Sequence, residues 1–481
     1  MLLDHVALPA QSVAGNIALA ACAYALFVVG HFALHLLSSW ALLRHVPGPP
    51  SSSFLWGEEW NLFYNSPGSY YCTWHKQFGR VVKFRGACGH QILSITDRRA
   101  ISFILGSEGT YKFPKPDGVR AWFLRTLGER TKSLKDLPLI DSQEKEFCKV
   151  AHERQRRSLA PALTQQSVRN FTSIFYETSA KLAVQWGKVI DDSEFSDGVE
   201  IEVTNWAGRF ALETIARAAF SYDFNLLSGE PSALIDALDG LTNNENKASS
   251  FYMRALFWVF PGILSIGKKG EMIRKTKDEL GTIARNMWQD VKHGDSSAEK
   301  TLLSMMLKAP GAMLEEEEIV AQMRTILSAG WVLYELAINT KVQDDLRIEL
   351  SSPGDIDQHS LLDFIVLEAL RLHPPILENH HQASETIAVP LSESLPETSS
   401  SVLVIPKGTI LFIPVNVMQT DPEIWGEDAH LFRPYRFQDR AMERQLFVFS
   451  EGHVIFFASS RATSLIIRIS DLALASANVS L

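Results

Sequence analysis

The run LLDFIVLEALRLHPP, Leu361 to Pro375, has the apolar density of a helix and stops where two prolines cannot continue one. Glu368 and Arg371 stand three residues apart on it, so they share a face and can pair. On a solvated helix such a pair is worth only roughly a few tenths of a kcal/mol and fixes little. Its force here comes from order. IPKGT (Ile405 to Thr409) follows, inside a stretch from Ser401 to Val417 that reads as a hairpin, and then DPEIWGEDAHLFRPYRF (Asp421 to Phe437).

The rest of the chain is compatible with one large domain. RVVKFRG and HQILSIT read as short strands, whereas TLLSMMLKAP and the segment opened by Glu315 to Glu318 read as helices, with acids at the helix start. The class is mainly α with a minor β portion. No GxGxxG is present, which argues against a Rossmann unit. A net charge of -9 argues against a nucleic-acid binder, which would carry a basic face. Cys22, Cys72, Cys88 and Cys148 are scattered through the first third without CxxC spacing, so neither a zinc site nor a disulfide framework is indicated.

Between Asp4 and Arg44 there is no Asp, Glu, Lys or Arg, and Gly15 to Leu43 is long enough to cross a bilayer core, which needs about 20 apolar residues. Positive charge follows this run rather than preceding it, which favours an uncleaved anchor over a signal peptide and places the body on the cytosolic side. RHVPGPP then forms a stiff connector. The expected organisation is an anchor at 1–44, a Pro-rich hinge at 45–50, a body at 51–453 and a tail at 454–481.

The ordered motifs resemble the cytochrome P450 family of haem-thiolate monooxygenases in its membrane-bound microsomal form, over roughly Pro47 to Gly452. The resemblance implies a P450 fold behind a transmembrane helix and a single-pass location in the endoplasmic reticulum membrane. It also implies haem, electrons from an NADPH-dependent flavin reductase, and an apolar small-molecule substrate that receives one oxygen atom. Glu368 and Arg371 match the family's Glu-x-x-Arg, and Arg436 matches the arginine that completes a buried network with them; Tyr435 stands where many members carry an acid. AHERQRRSLAPAL resembles the helix that holds the haem propionates, which gives His152 and Arg156, spaced i, i+4, that role. His381 falls where many members use an arginine for the same purpose, and Arg371 is counted with this cofactor-holding set.

Two family elements are broken. The oxygen-activation motif Ala/Gly-Gly-x-Asp/Glu-Thr begins at Ala329-Gly330 and jumps to WVLYELA, text the family places further along the same helix. An omission of about nine residues shortens a helix by ~13 Å and turns its remainder by ~180°. Tyr334 and Glu335 match ordinary helix residues there and not the missing acid and hydroxyl. In the iron loop, Phe-x-x-Gly-x-Arg-x-Cys-x-Gly, the chain supplies Phe449 and Gly452, then Val454, Phe456 and Ala458, with no cysteine downstream. The thiolate is the axial bond and the source of electron donation that promotes O–O cleavage, and phenylalanine supplies neither. Three readings stay open: a monooxygenase lineage inactive as written, a haem-free non-catalytic membrane protein or unstable product of a splice variant or misjoined gene, and a haem binder ligated by His453.

Overall fold

The computed structural model describes most residues of 36–127, 172–192, 247–278, 339–351 and 360–447, parts of 206–228, and scattered single positions elsewhere. Its centre is a four-stranded sheet in the order β1-β2-β6-β3. β1 (Val81–Arg85) and β2 (Gln91–Ile95) form an antiparallel hairpin, β6 (Ile410–Pro414) joins β2 in parallel, and β3 (Glu378–Gln382) closes the far edge antiparallel to β6. β4 (Ile387–Pro390) and β5 (Val402–Ile405) make a separate antiparallel pair.

Every residue of β2 and β6 is buried, as expected of central strands covered on both faces. The period-two alternation of side chains divides the strands between two cores. Val81, Leu93, Ile95, Leu411 and Ile413 pack toward α3 (Arg98–Leu105), meeting Ile101 and Ile104. Val82, Phe84, Ile92, Ile410 and Phe412 pack on the opposite side against Tyr71 and Trp74 of α2 (Ser69–Phe78). The register agrees with this split, since Phe84 lies opposite Ile92, and Ile92 opposite Ile410. α3 starts where the Asp97 carboxylate accepts from Ala100 N at 2.8 Å, satisfying one of the amides a helix start leaves free.

The further helices are, in chain order, α1 (Glu59–Tyr64), α4 (Asp117–Leu127), α5 (Thr172–Asp191), α6 (Lys247–Phe257) and α7 (Thr340–Ser351). α8 (Ser360–Leu372) is buried without a break from Ile365 through Arg371, so Glu368 and Arg371 sit inside the protein. Glu349 of α7 accepts from Leu361 N and Leu362 N, at 3.0 and 3.3 Å, and so caps the start of α8.

The N-terminal expectation is overturned. Among the described residues no helix is long and apolar enough to cross a membrane, so neither a single-pass anchor nor an endoplasmic reticulum placement with a cytosolic body is supported. The physical reason is visible where the apolar run ends. Ser39, Leu43 and Val46 are buried, and Leu43 and Val46 belong to the same core as β1 and β2. Lys83 Nζ donates to the carbonyls of Leu43 and Arg44, while Lys83 N donates to Pro47 O at 2.8 Å. Leu43 and Val46 are therefore tied into the protein interior and its backbone pairing, while Leu37, Trp40 and Leu42 beside them are exposed.

Candidate functional site

Arg371 is fully buried on α8, and a buried guanidinium is tolerable only if its five N–H donors find acceptors. They do. Nε and Nη2 form a fork on Glu368, to Oε2 and Oε1, each at 2.8 Å. Nη1 donates to Gln419 O and Ala429 O at 2.7 and 2.6 Å, and Nη2 reaches Leu431 O at 3.2 Å. The guanidinium also lies over the Trp425 ring, 5.1 Å from its centroid. With every donor spent inside the protein, Arg371 belongs to this network and has none left for a cofactor.

Glu368 completes the arrangement. Its Oε1 accepts from Arg436 Nε at 3.0 Å and from Arg433 N at 2.8 Å in addition to Arg371. Arg436 in turn donates to Trp425 O at 2.9 Å. One buried carboxylate thus ties α8 to the segment Gln419 to Arg436, a chain of short helical turns at Pro422–Trp425 and Pro434–Gln438 joined by loop. Two guanidiniums around one carboxylate leave a positive excess, and Asp428 stands at its edge, with Arg433 on one side and Arg436 on the other. Although partial loss of hydration works against it, the Arg433 hydrogen bond and the two cationic charges hold the Asp428 carboxyl below its ordinary range. Tyr435 points away from this centre and donates to Asp345 of α7 at 2.6 Å, a bond that pushes its phenol up to about 12.

His381 lies on β3, the strand that also carries Glu378 and His380. Its Nδ1–H donates to Phe113 O at 2.7 Å, which leaves Nε2 as the bare nitrogen, shielded from solvent and without a hydrogen-bond partner. Burial first, then the neighbouring Lys115 charge, push its pKa down to about 3, so the ring is neutral. Lys115 Nζ donates to Asn379 Oδ1 at 2.8 Å on the same strand. An orphaned imidazole nitrogen beside an ammonium suits one carboxylate group, whose negative charge would raise the imidazole pKa and let Nε2 take up a proton from solvent and donate it in a hydrogen bond. The iron position does not fit, because Phe456 has no donor atom for a metal.

His152, Arg156, Gly330, Tyr334, Glu335, His453 and Phe456 lie outside the described residues. Sequence reasoning missed Lys115 and the main-chain partners of Arg371. A lysine between two prolines carries no pattern, and carbonyl acceptors leave no side-chain signature.

Comparison with known proteins agrees with the geometry. The family description "Cytochrome P450" matches residues 47–453. Cytochrome P450 monooxygenase claU of Ampulloclitocybe clavipes is 28% identical over 455 residues, covering 85% of this chain and 81% of that protein. Cytochrome P450 monooxygenase claO of the same fungus is 28% identical, with 87% and 81% covered. Cytochrome P450 monooxygenase 205 of Postia placenta is 27% identical, with 82% and 77% covered. The family is haem-dependent and works with a redox partner and a small-molecule substrate. A helix bearing a closed carboxylate–diguanidinium network, a small mixed sheet beside it and a match over most of the length lead to one assignment: this chain belongs to the cytochrome P450 family.

Proposed function

We propose that this chain is a cytochrome P450 monooxygenase by descent that does not complete the family's oxygen chemistry as written. One contrast carries the reading. The Glu368–Arg371–Arg436 network is intact in every donor, whereas the position of the axial thiolate is Phe456. In a member with that thiolate, haem supplies the activation of dioxygen, an NADPH-dependent flavin reductase supplies electrons, and an apolar small molecule receives the oxygen atom. In this chain His381, together with His152 and Arg156, would hold the propionates, within a body spanning 51–453. The connector at 45–50 leads into that body and the tail at 454–481 follows it.

The test is the absorption spectrum of the expressed full-length chain, reduced and exposed to carbon monoxide. Absence of haem absorption is the expected result. A red-shifted band of the thiolate type would overturn the proposal, because some cysteine would then reach iron. A histidine-type band would replace it with ligation by His453.

A further inference from the structure

A second charged cluster lies on the other side of the sheet, where α6 meets α1. Phe251 of α6 is 1% exposed and inserts among the rings of Trp56, Trp60, Phe63 and Tyr64, with centroids 5.0 to 5.9 Å away. Three residues along α6, Arg254 reaches into the seam. Its Nε is 3.9 Å from Glu59 Oε2 on α1, and its Nη2 is 3.9 Å from Glu378 Oε2 on β3. Both contacts are longer than hydrogen bonds. Glu378 has a second partner, His380 Nε2 at 3.1 Å. Glu59 has none: it is 1% exposed, and its Oε1 is buried without a donor.

Charge balance decides the protonation state. Two carboxyl groups face one guanidinium across this seam, and only Glu378 has a hydrogen-bond donor to support its charge. An ionised, buried carboxylate without donors is expensive, so the surplus group keeps its proton. We propose that the seam between α1 and α6 is a proton-coupled latch, in which Glu59 holds a proton while the seam is closed and releases it to solvent when the seam opens. The closed arrangement accordingly loosens as pH rises.

The surrounding groups leave the neutral range to Glu59. Desolvation raises its pKa to about 8, with Arg254 lowering it and Glu378 raising it by smaller amounts. Desolvation likewise lowers His380 from 6.5, so its ring is neutral above that value. Burial works to raise Glu378, but its hydrogen bond with His380, the Arg254 charge and, at low pH where the ring is protonated, the His380 charge outweigh that and hold it below its ordinary range. Tyr71 of α2, whose buried hydroxyl also lacks a partner, is driven well above 10 by burial. A carboxyl with a raised folded pKa favours the closed state below its solvent-exposed value, and that advantage is lost as pH climbs from 4.5 to about 8.

Amide hydrogen exchange of the full-length chain, read by mass spectrometry on peptides covering 59–64 and 247–257, tests this. After correction for intrinsic exchange rates, protection in both peptides should fall roughly tenfold per pH unit between about pH 6.5 and 8, the signature of one released proton. Peptides from 360–372 should not follow. Glu59→Gln, which mimics the protonated acid, should abolish the slope. Glu378→Gln leaves Arg254 to Glu59 alone, so the decline should end at lower pH; this variant serves where Glu59→Gln does not fold. Flat protection in the native chain, or an unchanged slope in Glu59→Gln, overturns the latch.

Discussion

Replacing Arg371 by leucine removes five donors from a site with no access to water. Breaking one side of a buried ion pair costs about 3–5 kcal/mol. The carbonyls of Gln419 and Ala429 also lose their donor, while Leu431 O keeps a long contact from Arg436 Nη2, and an unsatisfied buried acceptor costs about 1–3 kcal/mol. Even with strong non-additivity, the total approaches the ~5–15 kcal/mol that holds a domain folded. Arg371→Lys keeps the charge but loses the planar fork, so it should fall between leucine and the native residue. The informative variant is the double change Glu368→Leu with Arg371→Met. Replacing a buried ion pair by apolar groups is often neutral, which would be the outcome if the pair alone mattered. The carbonyls of Gln419 and Ala429, together with Arg436 Nε and Arg433 N left without Glu368, predict otherwise, so the double variant should remain at least about 2 kcal/mol less stable. Urea unfolding followed by far-ultraviolet circular dichroism, at fixed protein concentration, measures all three. A double variant as stable as the native chain would refute the claim that the pair's further partners, main-chain and Arg436, are what it secures.

Two further outcomes follow from single residues. His381 has its pKa lowered to about 3 against 6.5 unfolded, so the unfolded chain binds the extra proton first; stability should fall as pH drops from 6.5 toward 3, and His381→Phe should flatten part of that decline in urea midpoints measured across the range. Gly48 lies so close to β1 that a Cβ would sit 1.7 Å from Lys83 O, which backbone cannot relieve by a rotamer change. Gly48→Ala should therefore cost about 1–3 kcal/mol and weaken the Pro47–Lys83 pairing, visible as a lower Tm and faster proteolysis near residue 44.

The strands at 81–95 and the helix at 360–372 are legible because their patterns are local: short runs rich in Val, Ile and Phe for the first, a dense apolar run closed by prolines for the second. The grouping of Glu368, Arg371 and Arg436 was legible by spacing and order, although the spacing says nothing of Gln419 O, Ala429 O or Leu431 O, which take three of the five Arg371 donors. The sheet order was not legible, since β2 and β6 are more than 300 residues apart and nothing in either strand names the other. The apolar N-terminal run was misread for a related reason. Composition measures apolar length and does not say what buries it, and here the end of the run packs on the core beside β1.

Glu59 shows the limit from the opposite side. In the sequence it is one of two acids in GEEW, at the start of a short helix, where acids are commonplace and favoured by the helix dipole. Glu58, its neighbour, is equally buried but partnered: its carboxylate accepts from Ser52 N, Ser52 Oγ and Asn61 Nδ2. One residue further, about 100° around the helix, the same side-chain chemistry has no such donors and meets an arginine from α6 shared with β3. What separates a buried acid satisfied by its own loop from a buried proton carrier is thus a tertiary contact with segments nearly 200 and 320 residues away. The P450-family match places the chain in its fold, and that contact is a property of this chain's own packing, which is why the Glu59→Gln exchange slope tests something the family assignment cannot decide.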